Sequence, residues 1–215
     1  VSRSLAACEG ALVVVDATQG VEAQTLSNIY LAIEQGLTLV PIINKIDLPM
    51  AQPDSVAEEM EQAFGFRQEE ILFVSAKEGT GVQSVLEAIV REVPPPREDS
   101  SEPSLRALVF DSAYDPYKGV IAYVRIFDGR LDRGQAIRLM GSGRDTEASE
   151  VGAFFPQMVK VDALTTGEVG YVATGFKDIR EAPVGDTITG LDRQAREPLP
   201  EFRPLKSMVF AGLYP

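Results

Sequence analysis

The stretch LTLVPIINKID (residues 37–47) decides how the first part of the chain is read. An apolar run of strand length stops on Asn44, Lys45 and Asp47: an amide, an ammonium and a carboxylate, with only Ile46 between them. A strand apolar on both sides belongs in a sheet covered on both faces. In open parallel sheets, ligands sit beyond the carboxyl ends of the strands. The same eleven residues therefore predict a buried parallel strand over 37–44 and a polar site at its end. Pro41 is the awkward residue, because proline offers no N–H to a ladder.

The pattern repeats on either side. Residues 11–17, ALVVVDA, form a short Val-rich run that predicts a strand. Residues 22–36 predict a helix with Leu26, Ile29, Tyr30 and Ile33 at helical spacing and Gly36 as its stop. Residues 54–65 predict a second helix, capped by Asp54 or Ser55 and stopped at Gly65. Residues 71–76, ILFVSA, predict a third strand, and 81–93 predict an amphipathic helix on Val82, Val85, Leu86, Ile89 and Val90. Alternating strands and helices mean right-handed parallel βαβ units. Three strands make a small sheet, and residues 1–10 read as a helix feeding the first strand. The expectation is a sheet whose N-terminal half lies elsewhere. Residues 1–94 by themselves are then expected to expose a sheet edge and apolar helix faces.

Residues 95–104 follow as a proline- and charge-rich linker. Beyond it the hydrophobic period changes to two. LRALVFDS, GVIAYVRIFDG, RLDRGQAIRLM, TEASEVGAFF, VGYVATG and DTITG read as short strands between Gly- and Asp-rich turns. Asp128-Gly129 is a hairpin signal, and YDPYKG (114–119) reads as a turn joining two strands. Strands at this spacing over 105–190 predict a β-barrel. Residues 191–206 read as a second linker, and 207–215 as the first strand of a further domain.

The 215 residues carry a net charge of −12, distributed as −9 over 1–94, −4 over 95–190 and +1 over 191–215. An acidic chain argues against broad binding to a phosphate backbone, although a local basic patch remains open. Arg125, Arg130, Arg133, Arg138 and Arg144 are candidates for such a patch, against the simpler reading of a solvated face. Cys8 has no second cysteine to pair with, which fits a reducing compartment; it reads as a small residue packed on the first helix. The chain has no histidine, so histidine metal sites and histidine bases are excluded within it. No apolar stretch is long enough for a membrane-spanning helix, and no signal peptide opens the chain.

A carboxylate such as Asp47 can accept from both the N1 and the exocyclic amine of guanine, donors that adenine lacks. The stem of Lys45 can lie along base or ribose, and Asn44 can tie neighbouring loops together. Alone, N-K-x-D is as readily a polar loop as a binding motif. Ser75-Ala76-Lys77 tips the balance. It follows the next strand at the same sheet edge, where the amide of Ala76 could reach guanine O6 and Lys77 could cover the base. Asp16 ends the first strand and reads as a strand-end polar residue.

These motifs resemble the translational GTPase family. NKIDLP, VSAKEGTGV, FDSAYDPYKG, VGDTIT and FAGLYP resemble its LepA (elongation factor 4) branch along the whole chain. The resemblance implies the C-terminal half of a P-loop GTPase-type parallel sheet followed by a translation-factor β-barrel, an α/β plus all-β fold. It implies GTP or GDP as ligand, read by Asn44, Lys45, Asp47, Ser75, Ala76 and Lys77. It implies Mg2+ held by residues outside this chain, and GTP-dependent ribosome remodelling (back-translocation) by the complete protein. Ribosomal RNA and proteins would be its partners, and the protein would be a monomer in the cytoplasm or an organellar matrix or stroma, with room for peripheral association at the inner face of a membrane. No G-x-x-x-x-G-K-[ST] loop occurs in the chain, so by itself it is expected not to hydrolyse GTP. The competing readings are a non-catalytic ribosome- or protein-binding module and another translational GTPase, such as an elongation factor G relative.

Overall fold

The computed structural model describes residues 2–96 and 104–199. The chain divides into two compact units, Val1–Arg97 and Glu98–Pro215. Most of the expected linker 95–104, the end of the expected linker 191–206 and all of the expected strand 207–215 lie outside the described residues.

In the first unit a short helix α1 (Ser2–Leu5) precedes β1 (Gly10–Asp16), α2 (Ala23–Glu34), β2 (Thr38–Asn44), α3 (Pro53–Phe64), β3 (Leu72–Phe73) and α4 (Val82–Glu92). The strands are parallel in the order β1-β2-β3. The central strand β2 is covered on both faces, as its unbroken apolar run predicts, while Leu12 and Val14 on one face of β1 are exposed. Val13, Val15 and Ile43 pack with Ile29 of α2 and Val56, Ala57 and Met60 of α3. Val40 and Ile42 face the other way, onto Val85 and Ala88 of α4. Each Val, Ile or Met among them contributes about 1.5–3 kcal/mol when fully buried.

Pro41 sits inside β2, in register with Val13. Thr38 donates to Glu9 O, and Asn44 O accepts from Ala17, so the even residues of β2 bond toward β1. Ile43 O accepts from Val74, so the odd ones, Pro41 included, point toward β3. At the level of Pro41 β3 has not begun, so its missing N–H breaks no ladder bond.

Several expectations need correction. β3 is two residues long, because Ser75 turns back to pair with Thr80. Helix α3 starts at Pro53, with Gln52 as N-cap and no side-chain cap, so neither Asp54 nor Ser55 caps it. Gly65 ends it at φ 76°. Helix α2 buries Ile29 and Ala32, and α4 buries Val85 and Ala88, while Tyr30, Ile33, Leu86 and Val90 are exposed. Cys8 is exposed and lies beyond the end of α1.

The second unit is antiparallel. Its strands are β4 (Arg106–Asp115), β5 (Gly119–Asp128), β6 (Arg130–Asp132), β7 (Ala136–Leu139), β8 (Arg144–Glu147), β9 (Glu150–Phe155), β10 (Gln157–Val161), β11 (Ala163–Thr165), β12 (Val169–Ala173) and β13 (Thr187–Gly190). Eight of them run in the order β10-β9-β12-β5-β4-β13-β7-β8. β8, at one end of that order, leads within two residues into β9, next to its other end, so the sheet curls on itself. Ser149 at this corner donates from its amide and its hydroxyl to Ala173 O, at 3.1 and 2.9 Å. Val109, Val124, Ile126, Ile137, Leu139, Val151, Val172 and Ile188 fill the interior.

β5 and β6 are not a hairpin. β6 pairs with β11 in a separate two-stranded sheet. Gly129, at φ 73°, turns the chain out of the main sheet, close under Leu105: a Cβ at Gly129 would stand 3.0 Å from its backbone. Strands β10 and β11 have no counterpart among the expected elements. YDPYKG does join β4 to β5, with Asp115 Oδ1 accepting the amides of Tyr117 and Lys118.

Candidate functional site

Register brings the candidate residues together. Asp16, last in β1, is paired with Asn44, last in β2. Ser75 follows β3 at the same carboxyl edge. The side chain of Asn44 locks the two loops: its Oδ1 accepts the Lys45 amide at 2.8 Å and the Ala76 amide at 3.0 Å. Ile46 N–H donates to Val74 O at 3.3 Å, a second tie between the same loops.

Asp47 is fixed from the other loop. Ser75, only 1 % exposed, donates its hydroxyl to Asp47 Oδ1 at 2.6 Å and accepts the Glu78 amide at 3.1 Å. The Ser75 hydrogen bond, aided by the nearby Lys77 ammonium, holds the Asp47 carboxyl below the ordinary carboxylate range. Asp47 is exposed, so an ionised acceptor oriented by Ser75 is presented at the surface of the sheet edge. Lys77 is exposed and pairs with Glu78 at 3.5 Å.

Lys45 stands at φ 68°, the one non-glycine residue with positive φ among those described. A left-handed L-residue costs about 1–2 kcal/mol, and such strain persists where surrounding contacts over-determine it. Here the Asn44 side chain holds its amide, and Asp16 Oδ2 holds its ammonium at 2.5 Å. Asp16 Oδ1 also accepts the amide and hydroxyl of Thr18, at 2.8 and 2.7 Å. The Lys45 ammonium, with these Thr18 bonds, holds the Asp16 carboxyl down at about 2. Asp16 is thus more than a strand-end polar residue. The available signal was positional: it ends the strand next to the one ending in Asn44.

The arginines do not form an open patch. Arg130 pairs with Asp132 at 2.8 Å, Arg133 with Asp162 at 3.5 Å, Arg138 with Asp145 at 2.6 Å and Arg144 with Glu181 at 4.0 Å. Arg125 is buried, its guanidinium 4.7 Å from the centre of the Phe127 ring. Arg130, Arg133, Arg138 and Arg144 are thus partly solvent-exposed with acidic neighbours, in line with the simpler reading of a solvated face.

Residues 1–95 match the family described as Elongation factor Tu GTP binding domain, and residues 119–189 match Elongation factor Tu domain 2. All 215 residues align at 53 % identity with elongation factor 4 of Aquifex aeolicus and at 54 % with that of Syntrophomonas wolfei. Along its whole length the chain is similar to elongation factor 4. It spans 36 % of the length of these two relatives. Among solved structures, translation elongation factor SelB from Methanococcus maripaludis superimposes with a TM-score of 0.70 over 87 % of this chain and 41 % of its own, at 18 % identity. That likeness carries the fold alone: a parallel α/β unit followed by a unit of antiparallel sheets.

Proposed function

We propose that the protein containing these residues is a guanine-nucleotide-dependent GTPase that remodels ribosomes during protein synthesis, and that Asn44, Lys45, Asp47, Ser75, Ala76 and Lys77 read its base. The observation that carries this reading is the double lock at the sheet edge, Asn44 on the Ala76 amide and Ser75 on Asp47. The two oxygens of the exposed Asp47 carboxylate suit the two donors of guanine. The Ala76 amide is already donated to Asn44, so guanine O6 would share it in a three-centre bond. A bound nucleotide would supply the phosphoanhydride; this chain's part is to select the purine and hold it between the two loops.

Phosphate and magnesium contacts are not assigned to these residues. Among the described residues no group of three or more His, Cys, Asp or Glu side chains could hold a metal ion. β1 is a sheet edge, and its Leu12 and Val14 are exposed. That supports the reading of this unit as the C-terminal half of a larger sheet, with the remaining strands in the rest of the protein. The proposed boundaries are a base-binding half over 1–94 and a barrel over 105–190, with linkers at 95–104 and 191–206 and a further domain starting at 207. Ribosomal RNA and proteins are the proposed partners of a monomeric, cytoplasmic or organellar factor. The test is nucleotide competition on the complete protein: GTP and GDP should displace a fluorescent GDP, ATP should not, and ribosomes should stimulate GTP hydrolysis. Equal displacement by ATP would refute the base assignment.

A further inference from the structure

The contact that no sequence motif announced is the ion pair across the carboxyl ends of β1 and β2. Lys45 is held at three points. Its backbone is turned left-handed at φ 68°, its amide is held by Asn44 Oδ1, and its ammonium by Asp16 Oδ2 at 2.5 Å. Asp16 is itself rigid. It ends a strand in register with Asn44, its other oxygen takes two bonds from Thr18, and its carbonyl accepts the Gly20 amide at 3.0 Å. With backbone and tip both anchored, the four-carbon stem becomes a strap between neighbouring strand ends. The lysine side chain still keeps 53 % of its surface exposed, so the strap is available to pack against a flat ring. Because Asp16 neutralises the ammonium, what is offered is chiefly the apolar stem rather than a free positive charge.

We propose that Asp16 is a positioning residue of the base site, which pins Lys45 so that the lysine stem forms one wall for the purine and raises affinity whatever the ring's exocyclic groups. This rests on the base-site reading above. A long lysine chain left free would lose rotamer entropy on packing against a ligand, and a pinned one has already lost it. Asp16 therefore acts through Lys45 and not by touching the nucleotide. The competing role is purely local, shaping the Thr18 turn. The substitution Asp16→Asn separates the two, since the amide oxygen can still accept from Thr18 while the charge facing Lys45 is lost.

The experiment is a double-substitution cycle in the complete protein, read as GDP affinity. Lys45→Met keeps an apolar stem and removes the ammonium. Asp16→Asn should weaken GDP about tenfold, within the range for contacting residues of one network. In the Lys45→Met background it should change affinity less than about twofold. In an Asp47→Asn background, Asp16→Asn should weaken xanthosine diphosphate by a similar factor, because the strap does not read exocyclic groups. Unchanged GDP affinity in Asp16→Asn, or effects that multiply in the double variant, would overturn the proposal and leave the base site standing. If Asp47→Asn fails to shift preference toward xanthine, the base site itself falls and the proposal falls with it. Should Asp16→Asn not fold, full GDP affinity in Lys45→Met alone would still overturn it.

Discussion

Glu150 is the most informative residue to perturb in the barrel. Its carboxylate lies on β9, 8 % exposed. Lys118 reaches its Oε1 at 2.6 Å, Lys160 its Oε2 at 2.7 Å, and the Tyr171 hydroxyl donates to Oε1 at 2.9 Å. Burial alone would raise its pKa, but the hydrogen bonds from Lys118, Lys160 and Tyr171 outweigh burial and hold it at about 2, against 4.5 for an ordinary glutamate. The same burial and bond push the Tyr171 phenol up to about 12. A difference of that size corresponds to about 3 kcal/mol in favour of the ionised folded state. Lys118 and Lys160 are 35 % and 66 % exposed, and solvent screening of their charges lowers the figure to about 2 kcal/mol. Glu150→Gln keeps shape and some hydrogen bonding and removes the charge. At pH 7 it should destabilise the barrel by about 2 kcal/mol, or roughly 10 °C in its melting temperature. Because the folded pKa is depressed, the stabilisation is fully present above about pH 4.5 and is lost as pH falls toward about 2. Urea or thermal unfolding, followed by the near-ultraviolet dichroism of the tyrosines, should show wild type and variant separated at pH 7 and converging through that window. Equal stability at pH 7, or a gap that does not shrink on acidification, would refute the reasoning.

Two further substitutions test the packing of the same unit. Gly152 lies against the ring of Tyr171, and a Cβ there would stand 2.3 Å from ring carbons; Gly152→Ala should cost about 1–3 kcal/mol in urea unfolding through forced repacking. Asp186 accepts the amides of Gly141 at 2.6 Å, Ser142 at 3.0 Å and Thr187 at 2.7 Å. Asp186→Ala strands those donors and should destabilise the barrel by about 2–3 kcal/mol, checked by the same transition.

The parallel sheet was legible because its signals are local. Apolar runs of strand length, bounded by Gly36, Gly65 and polar ends, fall where β1 and β2 lie. Asn44, Lys45, Asp47 and Ser75–Lys77 were legible as a group because consecutive parallel strands end at one edge, and the structure brings them together there. What stayed hidden depended on partners distant in sequence. Of the positions at helical spacing, Ile29 and Val85 are buried as expected, but Tyr30, Ile33, Leu86 and Val90 are exposed, and Ala32 and Ala88 complete the buried faces of α2 and α4. Asp128-Gly129 announces a turn, but not that the strand after it will pair with β11 rather than β5. β10, with Gln157, Met158, Val159 and Lys160 all largely exposed, lacks the alternation that marks a half-buried strand. The arginines left a patch open beside the simpler reading of a solvated face, because sequence does not show the carboxylates that Arg130, Arg133, Arg138 and Arg144 meet. The Asp16–Lys45 pair was hidden for the same reason, its members being 29 positions apart and adjacent only through strand register.

The central claim is that Asp47, oriented by Ser75, reads the base. Its most direct test is the relative affinity of the complete protein for guanosine and xanthosine diphosphates, with and without Asp47→Asn. The substitution turns one acceptor into a donor, suited to the C2 oxygen of xanthine. Preference should swing from guanine to xanthine by at least about tenfold, the scale of one matched hydrogen-bonding group. Guanine preference that survives Asp47→Asn unchanged would make Asp47 a loop carboxylate and contradict the account.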